Sequence, residues 1–144
     1  MIVRGETLVP ERVDEVWRVV SDPARLPAWW PGVTRVEGVT EETWTTVLQS
    51  AKGKAVRADY TRVAATEPDR LEWRQDVEGT PFERILVDAS TSVELAPEEG
   101  GTRVALALEQ NPRGWARLAP FQFRAAGKRQ VEGALAGLER LFSP

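Results

Sequence analysis

From Thr43 to Gln110 the chain repeats one pattern: a short run that alternates apolar and polar residues, a turn, then another such run. Trp44, Thr46 and Leu48 alternate with Thr45, Val47 and Gln49. Leu71, Trp73, Gln75 and Val77 alternate with Glu72, Arg74 and Asp76, and Val104, Leu106 and Leu108 recur at every second position. Period two marks half-buried strands, and strands joined by turns pair antiparallel. Such a sheet must bury its apolar face. The last third of the chain carries a single long helical pattern, in which Phe123, Gly127, Val131, Ala134, Leu138 and Leu141 fall near one face and Leu135 and Phe142 broaden it. One helix must therefore cover a sheet of about seven strands. It can do so only if the sheet curves around it, and a strongly curved sheet leaves room for an interior gap. The expected class is α+β.

The start of the chain completes the order of elements. Met1 to Val9 reads as a strand carrying Ile2, Val3, Leu8 and Val9. Pro10 and Glu11 are expected to open a helix, where Pro suits the first turn. Val13, Val16, Trp17 and Val20 form its apolar stripe, and Trp17 is assigned to core packing. Ser21-Asp22-Pro23 ends it. Asp22 caps a second, shorter helix limited by Pro27, with Leu26, Trp29 and Trp30 as its bulky residues. The predicted strands then run 33–37, 43–50, 55–64, 70–77, 82–95 and 102–110. Ala51-Lys52-Gly53-Lys54 and Glu67-Pro68-Asp69 read as turns. In 82–95, Ile85, Val87, Val93 and Leu95 are placed on one face, with a bulge as the alternative in the middle. Trp115 to Leu118 begins the helical third, which Pro120 kinks or interrupts.

Composition removes several chemistries. The chain of 144 residues has no cysteine and no histidine, so disulfides, thiolate chemistry and the commonest neutral-pH base and transition-metal ligand are absent. The acidic residues show no calcium-loop spacing, and no metal or other cofactor is expected. The formal net charge is −3 with basic residues dispersed, which gives no nucleic-acid stripe. No apolar run approaches a membrane span, and Met1 to Glu6 lack the long core of a secretory signal, so the expected location is the cytoplasm. The length fits one domain, residues 1–144.

The residues worth weighing are aromatic. Trp17, Trp29 and Trp30 lie within seventeen positions around a connection between elements, where polar residues usually dominate. A helix as short as the second cannot bury two indoles on one face, so Trp29 or Trp30 is expected near a cavity entrance. Trp44, Tyr60 and Trp73 share the inward parity of their strands and are expected to contribute walls, with Phe123 from the long helix. Gln75 is polar on an otherwise apolar face and could orient a carbonyl or hydroxyl, or be a satisfied buried amide. Glu72, Asp76, Asp88 and Glu94 take the opposite parity and should face solvent. Arg62 and Glu109 are candidates for a rim. Pro97 to Gly101 lacks the context of a phosphate loop. Arg113, Arg117, Arg124, Lys128 and Arg129 could meet an anionic head group, or simply form a solvated helical face. No catalytic residue is assigned.

Val16-Trp17, Asp22-Pro23, Leu26 and Trp29-Trp30-Pro31-Gly32-Val33, then Pro97 to Val104, then Val131 to Leu141, occur in an order that resembles the START-like superfamily. The part it is most similar to is the polyketide cyclase/dehydrase and lipid-transport family. The resemblance covers essentially the whole chain. It implies a helix-grip fold with a deep cavity between the curved sheet and the last helix. Proteins of this kind include lipid and quinone carriers, hormone receptors, aromatic polyketide cyclases and chaperone activators. The expected role is binding or transport of a hydrophobic or aromatic small molecule or lipid. A cyclase or dehydratase acting in the same cavity, and a protein-binding module using the aromatic turn, are the alternatives. A weak homodimer is left open.

Overall fold

The computed structural model describes residues 1–50 and 52–144. Seven strands form one antiparallel sheet: β1 (Ile2–Val9), β2 (Val33–Glu37), β3 (Thr43–Gln49), β4 (Ala55–Thr66), β5 (Arg70–Asp76), β6 (Leu86–Glu98) and β7 (Gly101–Pro112). Their spatial order is β1-β7-β6-β5-β4-β3-β2, so six strands form a meander and β1 closes onto the last of them. Helices α1 (Val13–Val20) and α2 (Leu26–Trp29) follow β1, and α3 (Pro120–Leu141) ends the chain. This is the α+β helix-grip arrangement: a curved sheet around one long helix.

The register fixes rows of side chains across the concave face. One row is Leu71, Val93, Leu106 and Gly5. Here α3 presses on the sheet through Val131, Leu135 and Leu138, all in the main core. A Cβ on Gly5 would stand 2.9 Å from Leu135 and 3.0 Å from Val131, so a side chain there would push both back from the sheet. On its other side, α3 meets α2 just as tightly. A Cβ on Gly137 would lie 2.2 Å from the Trp29 carbonyl oxygen, and one on Gly133 would lie 2.9 Å from the Pro31 ring.

The hairpin between β6 and β7 is held to the start of the fold. Gly101 has φ of +148°, and a Cβ there would meet the Val9 carbonyl oxygen. The buried Thr102 hydroxyl donates to the Glu11 carbonyl at 2.7 Å.

Five expectations are corrected. Pro10 and Glu11 do not open the first helix, which begins at Val13 with Arg12 before it and no side-chain cap. Asp22 does cap, accepting from the Ala24 amide at 3.0 Å, but the cap starts the 3-10 turn Pro23–Arg25 that leads into α2. Phe82 is not in a strand; it lies in a second 3-10 turn, Pro81–Arg84. A register shift between Leu86 and Asp88 turns Leu86 and Ala89 inward and leaves Val87 exposed. Near the C-terminus Leu141 is exposed while Phe142 packs on the core. Of the predicted turn 51–54, Ala51 lies outside the described residues.

Candidate functional site

Nearer the open end of the grip, the concave face changes chemistry. Trp44, Tyr60 and Gln75 are cross-strand partners in succession, and Ala89 pairs with Gln110 on the far side of β6. The row between this one and the row of Leu71 and Val93 holds Trp73, Thr91 and Leu108. Above these rows α3 presents Gln122, Phe123, Ala126, Arg129 and Gln130, and it does not fill the space beneath. A cavity of about 680 Å³ remains between them. That lies within the ordinary range for small-molecule sites.

The wall is a chain of rings. Trp29 and Trp30 meet edge-on with centroids 5.5 Å apart. Trp30 meets Trp73 at 6.1 Å, and Trp73 meets Trp44 at 6.1 Å, again edge-on. Trp44 then stacks on Tyr60 at 5.9 Å and 13°. These separations are those at which aromatic rings attract one another beyond simple burial. The chain runs from the core to the middle of the cavity and stiffens the wall without a hydrogen bond.

Of the residues singled out from the sequence, Trp30, Trp44, Tyr60, Trp73, Gln75 and Phe123 all line this cavity. Trp29 does not. It is 2% exposed and belongs to the core, because its backbone is pressed against Gly137 of α3. The short helix divides its two indoles: Trp29 anchors, and the half-buried Trp30 faces the space. Arg62 is not at the rim. Its guanidinium lies 5.9 Å from the Trp44 ring centroid and donates to the Ser21 carbonyl, tying β4 to the end of α1. Glu109 is exposed and off the cavity. Sequence reasoning missed Thr91, Gln110, Gln122 and Gln130. Thr91 shares the inward parity of Val93 and Leu95, and Gln110 that of Leu106 and Leu108, so strand parity carries a signal for both, whereas Gln122 and Gln130 depend on the rotation of α3.

The polar groups are few and their chemistry is uniform. Burial pushes the Tyr60 phenol up to about 12, and a hydrogen bond with Thr46 pulls only partly the other way. At neutral pH Tyr60 is therefore a hydrogen-bond donor. Gln75 is 8% exposed, and its Nε2 has no partner. The Trp44 Nε1 is also buried without a partner. Among the described residues of the wall the only charged side chain is Arg129, and no carboxylate is present. The described residues contain no group of three or more His, Cys, Asp or Glu suited to holding a metal ion. None of their helices is long and apolar enough to cross a membrane.

A family model described as polyketide cyclase/dehydrase and lipid transport matches residues 2–143. No curated protein matches the sequence. Several solved structures share the fold. One, from Thermus thermophilus, is 24% identical with a TM-score of 0.78, covering 97% of this chain and 95% of that one. A protein from Nitrosomonas europaea is 19% identical with a TM-score of 0.72, covering 99% and 94%. The di-domain ARO/CYC BexL from the BE-7585A biosynthetic pathway is 11% identical with a TM-score of 0.81; the match spans this whole chain and 50% of that one. Similarity at these identities establishes the architecture and leaves function to the site.

Proposed function

The chain belongs to the polyketide cyclase/dehydrase and lipid transport family, and on that premise we propose that it binds a hydrophobic, ring-containing small molecule in the cavity beneath α3. The observation that carries this reading is an unfilled space of about 680 Å³ walled by Trp30, Trp73, Trp44 and Tyr60. A packed interior leaves few voids larger than a water molecule. An apolar ligand entering this space gains about 25 cal/mol for each Å² of apolar surface removed from water. The Tyr60 hydroxyl and the Gln75 amide lie on neighbouring strands as register partners. Together they favour a ligand with a neutral oxygen, a carbonyl or hydroxyl, on one edge.

Binding is favoured over turnover by the make-up of the wall. General acid–base work near neutrality needs a group that titrates there. Tyr60 is held far above that range, and the wall has no carboxylate among its described residues. The shape can still hold a reactive chain in one conformation, so a cyclising role in the same cavity is the second reading, supported by the family description.

The test is a titration of a fluorescent hydrophobic dye into wild type and Trp73→Leu, with native mass spectrometry of protein purified without added ligand. Dye binding to wild type, weakened in Trp73→Leu with cooperative unfolding retained, is the expected result. A wild-type protein that takes up no apolar dye and carries no small molecule overturns the proposal.

A further inference from the structure

The three most exposed large apolar side chains among the described residues lie within seven positions: Trp115 at 69%, Leu118 at 85% and Phe121 at 85% exposed. The 3-10 turn Gly114–Leu118 is packed inside out. Its small Ala116 is fully buried, and the large neighbours point to solvent. Pro120 then starts α3, whose outward face carries Phe121, Arg124, Ala125 and Lys128, all exposed.

The charge around this tip is one-sided. Residues 110–131 contain Arg113, Arg117, Arg124, Lys128 and Arg129 and no acidic residue, in a chain whose net charge is −3. None of the four arginines forms an ion pair among the described residues, and Lys128 reaches only Glu132, at 3.9 Å. The start of α3 has no side-chain cap, so the positive end of its dipole adds to the same region. An apolar tip behind which basic side chains are gathered fits an interface with apolar depth and negative head groups. It does not fit a second copy of the same patch, because a two-fold contact would set these basic residues against their own equivalents.

We propose that the segment Arg113–Lys128 docks on the surface of an anionic lipid bilayer. Leu118, Phe121 and Trp115 enter the boundary between head groups and acyl chains, and Arg113, Arg117 and Arg124 meet lipid phosphates. Trp115, Ala119 and Gln122 also border the cavity, so docking sets its opening against the membrane. That last consequence rests on the ligand-binding reading; the docking does not.

The test is co-sedimentation of the full chain with phosphatidylcholine vesicles, with and without about one quarter phosphatidylserine, at low and high salt. Wild type is expected to bind the anionic vesicles only, and less at high salt. Each basic residue near an anionic surface contributes about five-fold, so Arg113→Glu/Arg117→Glu is expected to lose at least ~25-fold in partitioning. Leu118→Ser/Phe121→Ser is expected to lose ~10-fold or more, from lost apolar insertion. None of these four residues lines the cavity, so dye affinity and the unfolding midpoint should match wild type in both variants. Failure of wild type to bind anionic vesicles, equal binding to uncharged vesicles, or wild-type binding by either variant overturns the proposal. So does a lipid-free dimer that Leu118→Ser/Phe121→Ser dissociates. Dye binding on the same samples separates this outcome from failure of the ligand-binding reading.

Discussion

Between Val131 and Leu138, α3 lies directly on the sheet. Between Gln122 and Gln130 the same helix touches the β1–β7 edge, where Gly127 approaches Val3, and the start of β6, where Phe123 packs with Leu86 and Ala89, and between these contacts it stands away from the sheet. The two halves differ in where their small residues lie. In the closed half, glycines stand at the points of contact, at Gly5 on the sheet and at Gly133 and Gly137 on the helix, so backbones approach and apolar side chains interlock. In the open half, the sheet carries Trp44, Trp73, Tyr60 and Gln75, and the helix offers Ala126. Rings that support one another edge-on hold the wall upright, so it does not collapse into the space. The cavity is thus made by the same device that makes the core, with large and small residues exchanged between the two surfaces.

Substitutions in the two halves should separate them. The largest effect belongs to the closed half. Leu138 is fully buried, and Leu138→Ala should cost about 2–5 kcal/mol in chemical denaturation. A change within the fitting error would mean that this helix face is not core. The next concerns the environment of the open half. Tyr60 is the single tyrosine of the chain, so phenolate absorbance reports it alone. Its midpoint should rise from about 10 in urea to about 12 in the folded protein. A group raised on folding holds its proton longer in the native state. Stability is therefore fully retained below the unfolded value and falls as pH climbs from about 10 towards 12. A folded midpoint near 10 would show that water fills the cavity around the phenol. The smallest effect is expected for Gln75→Leu, which removes a buried amide nitrogen that has no partner. Stability should stay within about 1 kcal/mol of wild type, or rise. A large loss would show that Gln75 is a structural hydrogen-bonding residue.

The sequence made the closed half legible almost completely. Strand alternation and the spacing of Val131, Leu135 and Leu138 are local properties, and they dictated both partners of that contact. The open half was legible only where parity sufficed, as for Trp44, Tyr60, Trp73 and Gln75. It failed where a local irregularity intervened. The shift at Leu86/Asp88 reversed the facing of Val87. Trp29 or Trp30 was expected at a cavity mouth; Trp30 lines the cavity, whereas contact between backbones at Gly137 holds Trp29 in the core. That contact joins residues more than a hundred positions apart, and no periodicity within either segment announces it. Gln130 reaches the cavity through the rotation of α3, which is likewise set by tertiary packing, whereas Gln110 continues the inward parity of Leu106 and Leu108.

One pair of substitutions tests the central contrast directly. Ala126 faces the cavity and Ala134 is fully buried in the core, eight positions apart on α3. Ala126→Trp and Ala134→Trp make the same chemical change on one helix, so the intrinsic helix preference cancels between them. The measurement is the unfolding free energy of both variants, with dye affinity alongside. Ala126→Trp should shift stability by less than about 1 kcal/mol and abolish dye binding by filling the space, whereas Ala134→Trp should cost about 3 kcal/mol or more by overpacking. Equal costs for the two, or undiminished dye binding in Ala126→Trp, would contradict the division of the grip into a closed core and an open site.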